Sequence, residues 1–165
     1  VRWAANMVGP VFMRIGRFKV PSVSQGQSPA FIPNKAMRII DGSDVTIIAT
    51  GTLVSRAVAA AAQLKVEGIS ARVINLSTVS PLDTIEILAA AKETKAIITA
   101  EESVTRGGVG GAIAEFVVQN HPVPMKLMGI DSFAPTGSAT FLLEHFGLTA
   151  DSIVASAREL LKHGK

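Results

Sequence analysis

The sequence predicts an α/β fold in which a mostly parallel sheet is covered by helices on both faces. From residue 36 onward, short runs rich in Val and Ile alternate with longer segments whose apolar residues recur with helical spacing. Strands that alternate with helices are joined by right-handed crossovers, which make the strands parallel. A length of 165 residues, 48% of them hydrophobic, provides one core of this kind and a shorter remainder.

The predicted strands are short apolar runs that end at glycine, proline or polar turn residues, and the predicted helices fill the intervals between them. For the first helix, Thr52 or Ser55 is a suitable N-terminal cap and Gly68 is a suitable stop. Ser138 is a natural cap for the fourth helix. The strands cover residues 36–40, 44–50, 71–76, 96–100 and 124–128, and the later helices cover 83–93, 109–120, 138–146 and 150–163.

The first 35 residues do not follow this pattern. Residues 1–17 predict the end of a helix, a turn at Gly9-Pro10 and then a strand over 11–17. That strand needs partners from elsewhere, because unpaired backbone groups are costly to bury. Residues 18–35, rich in Pro, Ser, Gln and Gly, predict an interdomain linker. The chain starts at Val1 without Met or the order of a signal peptide, so we expect it to be cut from a longer protein.

Composition excludes several classes of protein. A charged fraction of 18% and the many apolar residues exclude general disorder. The absence of cysteine excludes a disulfide scaffold, a thiolate metal site and a cysteine nucleophile, and is compatible with a cytoplasmic protein. No apolar run approaches the roughly 18–20 residues that cross a bilayer, so we expect no membrane partner.

The net positive charge belongs to one end of the chain. Residues 1–40 carry six basic side chains and no acidic one, whereas residues 41–165 carry ten basic and 13 acidic side chains. This segment has too few aromatic and polar base-reading residues for nucleic-acid recognition, so we expect no nucleic-acid partner. We expect the positive charge near the start of the chain to bind a small anionic ligand instead.

Two features after residue 100 have both a structural and a functional interpretation. Glu101-Glu102 follows a predicted strand. In the functional interpretation these paired carboxylates serve as a base or bind a cation. In the structural interpretation one carboxylate caps the next turn and the other faces solvent. The glycine turn 107–111 precedes a helix, where free amides hold an anion, but it lacks the dinucleotide and phosphate-loop patterns. We favour the structural interpretation of both.

The remaining polar residues predict no catalytic or metal site. His121, His145 and His163 have no neighbours at metal-ligand spacing. The loop 131–138 contains no serine nucleophile elbow, so acyl hydrolysis is unsupported.

Six segments that follow one another over nearly the whole chain are 9–17, 42–51, 68–75, 81–83, 100–102 with 107–110, and 131–137. In this order they resemble the C-terminal part of transketolase. The loop 131–137 and the later Phe146-Gly147-Leu148 favour transketolase over the related pyruvate dehydrogenase beta subunit. Deoxyxylulose-phosphate synthase shares most of the pattern and remains the nearest alternative. Ser103 stands where the family often has His after the glutamate pair.

The resemblance implies a domain plan. Residues 1–17 look like the end of a truncated pyrimidine-binding domain, 18–35 like a linker, and 36–165 like a complete transketolase C-terminal domain. In that family the C-terminal domain is a three-layer α/β/α structure with a five-stranded, mostly parallel mixed sheet. Its first, short strand is antiparallel to the rest, and residues 36–40 fit that strand.

The resemblance also implies a function that this chain does not perform alone. The complete enzyme transfers a two-carbon ketol unit between phosphorylated sugars with thiamine diphosphate and Mg²⁺, and the domain that holds this cofactor and metal lies outside the chain. Partners implied are the remaining transketolase domains or subunit and a second copy, since the family forms dimers. No catalytic, cofactor-binding or metal-binding residue is expected on this chain.

One residue carries over with a chemical reason. Arg17, followed by Pro21, stands where transketolases have the arginine that binds the phosphate of the sugar substrate. A guanidinium offers forked donors that suit phosphate oxygens. Arg14 falls earlier in the segment and is the weaker candidate. A function of a different class, a non-catalytic assembly or regulatory α/β module, is the alternative to an enzyme part.

Overall fold

A computed structural model describes residues 1–16, 19–23 and 31–163 of the chain. Its centre is a five-stranded sheet with strand order β1-β3-β2-β4-β5. β2 pairs in parallel with β3 and β4, β4 pairs in parallel with β5, and β1 pairs antiparallel with β3. The strands are β1 Met37–Ile40, β2 Val45–Ala49, β3 Ala71–Asn75, β4 Ile97–Val104 and β5 Met125–Ile130.

Helices cover the two faces of this sheet. One core cluster joins the sheet to α2 and α6 through side chains such as Leu53 and Ile153. The second cluster joins the opposite face to α3 and α4 through Ile87 and Ile113. The three-layer mixed fold with an antiparallel first strand is therefore confirmed. The helices are α1 Arg2–Ala5, α2 Leu53–Val66, α3 Thr84–Glu93, α4 Val109–Asn120, α5 Ala139–His145 and α6 Ala150–His163.

Several helix boundaries follow from local chemistry. The Asp83 carboxylate accepts a hydrogen bond from the amide of Glu86, and the Ser138 hydroxyl accepts one from the amide of Phe141, so each caps its helix. Gly68 lies just past α2 with a φ of 77°, the left-handed conformation in which glycine ends helices at little cost. The sequence predicted the Ser138 cap and the Gly68 stop, whereas for Asp83 it predicted only the start of a helix and not the cap.

The predicted capping of α2 was wrong. Thr52 stands at the N-cap position, but its side chain makes no capping hydrogen bond. Its φ of −71° and ψ of −18° are already helical, whereas a capping residue is normally extended. Ser55 instead donates its hydroxyl to the carbonyl of Thr52.

The strand predicted over residues 11–17 is also corrected. Residues 11–16 form no strand, and Arg17 lies outside the described residues. Phe12 and Ile15 are 94% and 76% exposed. A single strand needs a neighbour for its backbone groups, and in the described part of the chain none lies beside this segment.

The fourth strand is longer than predicted. It continues past Ala100 through the two glutamates to Val104, with a register shift between Ala100 and Val104. Glutamate is a poor strand former, so the sequence placed the end of the strand before Glu101.

Of the described helices, none is both long and apolar enough to cross a bilayer.

Candidate functional site

β2 and β4 are the neighbouring strands from whose carboxyl ends the chain continues to opposite faces of the sheet. These two strands are neighbours, but α2 follows β2 on one face and α4 follows β4 on the other. In open α/β sheets the crevice that opens at such a point is the usual ligand site. We call this place, bounded by residues 50–52 and 101–108, the switch crevice.

The turn after β2 forms one wall of the switch crevice. Gly51 has a φ of 56°, which lets the chain turn sharply into α2. Thr52 is 7% exposed, and its Oγ1 has no hydrogen-bond partner among the described residues. The carbonyl of Thr52 accepts from Nη1 of Arg56 at 3.3 Å.

Glu101 is held inside the fold rather than presented to a ligand. Its side chain is 2% exposed, and its two carboxylate oxygens accept from the amides of Val109 at 2.9 Å and Gly110 at 2.8 Å. These are first-turn amides of α4, which have no partners within the helix. The capping interpretation is confirmed for Glu101, and these contacts use the amides that an anion in the glycine turn would need.

The glycine turn also serves close packing. A side chain at Gly110 would bring its Cβ to 2.5 Å from Oγ1 of Thr99 and 3.0 Å from Cγ of Leu127. Thr99 and Leu127 belong to β4 and β5, so α4 rests directly on these strands. Close approach of helix and strand, as predicted, explains the glycine at position 110.

Glu102, in contrast to Glu101, is an acidic side chain that faces the switch crevice. It is half-buried, with Oε2 at 3.6 Å from the position of a Cβ built on Gly51. Unlike Glu101, it makes no side-chain hydrogen bond or ion pair within the described residues. Its carboxylate is therefore available for a contact with another molecule.

The N-terminal segment reaches the switch crevice at Gly16. A Cβ built on Gly16 would lie 3.9 Å from Cγ2 of Thr52, which is an ordinary van der Waals distance. Arg17, the predicted phosphate-binding residue, follows immediately but lies outside the described residues. The structure thus places Gly16, the residue before Arg17, at the crevice.

Two of the six basic residues of the first 40 belong to the fold. Lys35 pairs with the capping carboxylate of Asp83 at 3.4 Å. Arg38 on β1 donates through Nε to Glu86 of α3 at 2.8 Å, and this hydrogen bond raises the pKa of Arg38. Less of the charge is thus free for an anionic ligand than the sequence indicated.

The described residues contain no group of three or more His, Asp or Glu side chains that would hold a metal ion. His145 stacks on Phe141, with ring centroids 5.7 Å apart, and its own ring lies edge-on to Phe146. His121 forms the C-cap of α4. The side chain of His163 lies outside the described part of the chain.

Buried Arg72 was missed by sequence reasoning. It lies on β3 at 5% exposure and donates to Glu93 of α3 at 2.6 Å. An arginine within the apolar run 71–76 was the only available signal, and the sequence does not reveal that Glu93 faces it.

Comparisons with known proteins give one family. Residues 34–153 match the model of the transketolase C-terminal domain. The chain is 40% identical over 153 residues, 92% of its length, to a 6-deoxy-6-sulfo-D-fructose transketolase subunit of Clostridium sp. (strain MSTE9). It is 37% identical over 163 residues, 97% of its length, to the 1-deoxy-D-xylulose-5-phosphate synthase of Heliobacterium modesticaldum.

A solved structure agrees with the sequence matches. The structure titled split gene transketolase, inactive beta4 tetramer, superposes with a TM-score of 0.92 at 36% identity, and covers 99% of this chain and 54% of its own. The chain spans 47% of the length of the Clostridium subunit and 25% of the length of the Heliobacterium synthase.

Proposed function

We propose, since this chain belongs to the transketolase family, that it is the C-terminal part of an enzyme that transfers a two-carbon ketol unit between phosphorylated sugars. The observation that carries this proposal is the likeness to a split-gene transketolase over 99% of the chain at 36% identity. A subunit of a second transketolase, 40% identical, supports the same function. The enzyme would be a cytoplasmic transferase.

The domain plan belongs to the proposal. Residues 1–17 would end a pyrimidine-binding domain, 18–35 would form the linker, and 36–165 the C-terminal domain. The family match begins at residue 34, next to the proposed linker boundary. The short helix α1 agrees with a helical end of the preceding domain.

The cofactor and metal would be held by the rest of the enzyme. Thiamine diphosphate and Mg²⁺ need metal ligands and free donors for a diphosphate. The described residues include no group of three carboxylates or imidazoles suited to a metal, and Glu101 occupies the first-turn amides of α4. The described residues do not fit that site, so we assign no step of the reaction to them.

Arg17 would bind the phosphate group of the sugar. The support is the position of Gly16 beside Thr52, which brings the segment to the carboxyl edge of the sheet. The first 40 residues of the sequence contain no acidic side chain that would compete with the phosphate for this guanidinium. A forked charge-assisted contact would hold the sugar by an end that does not react.

The chain would work in an assembly. Val8 is fully exposed, and Phe12 and Ile15 are mostly exposed, so the N-terminal segment presents an apolar surface that another part of the enzyme would cover. A similar subunit is known as an inactive beta4 tetramer. We infer that this chain associates with its own copies and requires the remaining domains or a partner subunit for activity.

The second candidate is the C-terminal part of a 1-deoxy-D-xylulose-5-phosphate synthase. The observation that favours it is the 37% identity to such an enzyme over 97% of the chain. A non-catalytic assembly or regulatory module is the third, and the exposed apolar segment agrees with it.

Co-expression tests the three candidates. The chain would be produced together with the thiamine-diphosphate domains, taken from its own reading frame or from a neighbouring one that encodes them. The purified complex would then be assayed with phosphorylated sugars. A transketolase forms a new ketose phosphate from a ketose donor and an aldose acceptor. Formation of 1-deoxy-D-xylulose 5-phosphate supports the second candidate, and a stable complex without either product supports the third.

A further inference from the structure

The loops that follow the parallel strands meet at one edge of the sheet, which we call the carboxyl edge. These loops are 50–52 after β2, 76–83 after β3, 105–108 after β4 and 131–138 after β5. Parallel strands bring all of them to the same side of the sheet. β3 and β5 are three strand spacings apart in the sheet, so the edge extends over about 14 Å, with the switch crevice in its middle.

The carboxyl edge exposes apolar side chains at the ends of three strands. Phe133, after β5, is fully exposed. Val104, the last residue of β4, and Val79, after β3, are each about half exposed. A single exposed apolar residue is ordinary, but several along one edge of a sheet are typical of a surface that contacts another protein.

The loop that carries Phe133 is fixed at both ends. At its start, the amide of Thr105 donates to the carbonyl of Ile130 at 3.1 Å. At its end, the hydroxyl of Ser138 accepts from the amide of Phe141 at 3.2 Å, which caps α5. The exposure of Phe133 therefore belongs to a loop whose two ends are tied to the fold.

Glu102 adds a half-buried carboxylate to the carboxyl edge. A Cβ built on Gly51 would have Oε2 of Glu102, at 3.6 Å, as its only described neighbour within 4 Å, so the space beside this carboxylate is open. Arg106 and Asp131, at the same edge, are exposed and opposite in charge. Because a carboxylate that loses water needs a donor, a surface that covers Glu102 has to offer a cation or an N–H group.

The N-terminal segment indicates what covers the carboxyl edge. Gly16 lies beside Thr52, in the middle of the edge. The same segment carries the exposed apolar side chains of Phe12 and Ile15 and the exposed cation Arg14, and it contains no acidic residue. It thus brings apolar and basic groups to an edge that exposes apolar side chains and a carboxylate in need of a donor.

A domain that ends in this segment starts from the carboxyl edge. This chain spans 47% of the similar Clostridium subunit, so about half of that subunit lies outside the region of likeness. In the proposed domain plan, residues 1–17 end the preceding domain. A domain joined to the edge through its own last residues has a high effective concentration there, which a second copy of the chain does not have.

We infer that the carboxyl edge is the face on which the preceding domain of the complete subunit docks, with Phe133 as the apolar anchor and Glu102 as a polar contact. The inference rests on the proposed function for the identity of that domain. The docked surface presents an apolar pocket to Phe133 and a basic or N–H donor to Glu102.

Hydrogen–deuterium exchange tests the inference by comparing the complete subunit with the 165-residue chain. No amide of the loop 131–138 donates a backbone hydrogen bond within the described residues, so this loop should exchange rapidly in the chain alone. In the complete subunit we expect its exchange to be slower by about tenfold or more. The turn 41–43, at the opposite edge of the sheet, should exchange equally in both proteins.

Matched variants identify the contacts. In the complete subunit, Phe133→Ser should speed the exchange of the loop about tenfold, because an anchor residue carries a large share of the energy of an interface. Glu102→Gln should speed it by less, and Val66→Ser, 90% exposed at the end of α2, is the control that should not change it. Each is compared with the same variant of the 165-residue chain, whose urea midpoint should be unchanged by Phe133→Ser because this side chain is fully exposed.

Three results would overturn the inference. They are equal exchange of the loop in the two proteins, full protection in both edge variants, and protection in the chain alone that grows with its concentration, which would assign the edge to a second copy. The assay with phosphorylated sugars is a separate readout. An active enzyme with an unprotected loop would refute the docking alone, whereas an inactive one with a protected loop would refute the proposed function alone.

Discussion

At the scale of single residues, the buried carboxylate of Glu101 fixes the start of α4. It accepts two backbone hydrogen bonds at 2% exposure, whereas its neighbour Glu102 is half-buried and makes none within the described residues. Adjacent residues on a strand face opposite sides of the sheet, so the two glutamates face different environments. One glutamate is therefore structural, and the other faces the switch crevice.

Glu101→Gln tests this difference. The amide keeps one acceptor oxygen but places an NH₂ group against a backbone N–H, so we expect a loss of about 1–3 kcal/mol in the free energy of unfolding. Glu102→Gln is the matched control and should change it by less than about 0.5 kcal/mol. Urea unfolding measures both, and equal losses would contradict the capping role.

Arg17→Ala in the complete enzyme tests the proposed substrate contact. The change removes a charge-assisted contact worth roughly 1.5–3 kcal/mol. The contact is made by an unreactive part of the sugar, so KM should rise about 10- to 100-fold with a smaller effect on kcat. Unphosphorylated donors should be barely affected. Equal losses of kcat/KM for both substrate classes, or a large drop in Tm, would assign Arg17 to the fold.

At the scale of elements, one carboxylate ties together the amino ends of three parallel strands. Asp44, just before β2, accepts from the amide of Ser70 at 2.8 Å and from Nζ of Lys95 at 2.9 Å. Ser70 precedes β3, and Lys95 precedes β4. The hydrogen bond from Ser70, and then that from Lys95, lower the pKa of Asp44 below its ordinary value of 3.8.

This lowered pKa predicts acid sensitivity. The stabilisation by Asp44 is fully present above the ordinary carboxyl pKa of about 3.9, and is lost as the pH falls through the lower pKa of the folded state. The free energy of unfolding should therefore decrease between about pH 5 and pH 2. Asp44→Asn should flatten this dependence, and the exposed Glu115→Gln should leave it unchanged. A pH series of urea unfolding curves measures it, and an unaltered slope in Asp44→Asn would contradict the prediction.

Two neighbouring glycines of α4 give a matched pair for the contact between helix and sheet. At Gly110 a methyl group would overlap Thr99 and Leu127, so Gly110→Ala should destabilise by about 1–3 kcal/mol. At Gly111 the nearest atom, the carbonyl oxygen of Thr105, would be at an ordinary 3.5 Å. Gly111→Ala should then stabilise by up to about 1 kcal/mol, as glycine is a poor helix former. Thermal unfolding compares the two, and the same sign for both would show that α4 does not pack as described.

At the scale of the whole molecule, the chain has a complete α/β core and an N-terminal segment with exposed apolar side chains. The core has two clusters, one on each side of the sheet. The segment contributes Phe12 at 94% exposure. The core therefore accounts for a stable domain, and the exposed segment agrees with the association proposed above.

The isolated chain should neither bind thiamine diphosphate nor transfer ketol groups. Calorimetric titration with the cofactor and Mg²⁺ measures the first property, and an assay with phosphorylated sugars measures the second. The complex with the remaining domains should be positive in both. Tight stoichiometric binding by the chain alone would overturn the proposed domain plan.

Local sequence chemistry was sufficient for most of the fold. The helices of 109–120 and 150–163 begin and end as predicted, because each is bounded by turn or capping residues that act on their immediate neighbours. The sequence also indicated that one of Glu101 and Glu102 would cap amides of the following turn, and in the structure these amides belong to the first turn of α4. The antiparallel direction of β1 came from resemblance to a family, since strand direction depends on contacts that local pattern does not record.

Only the tertiary structure decided which residues meet across the fold. It assigned the cap to Glu101, extended β4 to Val104, and gave Lys35 and Arg38 partners at the N-terminal end of α3. Each of these depends on strand order and register, which join residues far apart in sequence. The sequence by itself therefore determined most of the elements and the family resemblance, whereas the contacts between elements, which form the sites, required the folded chain.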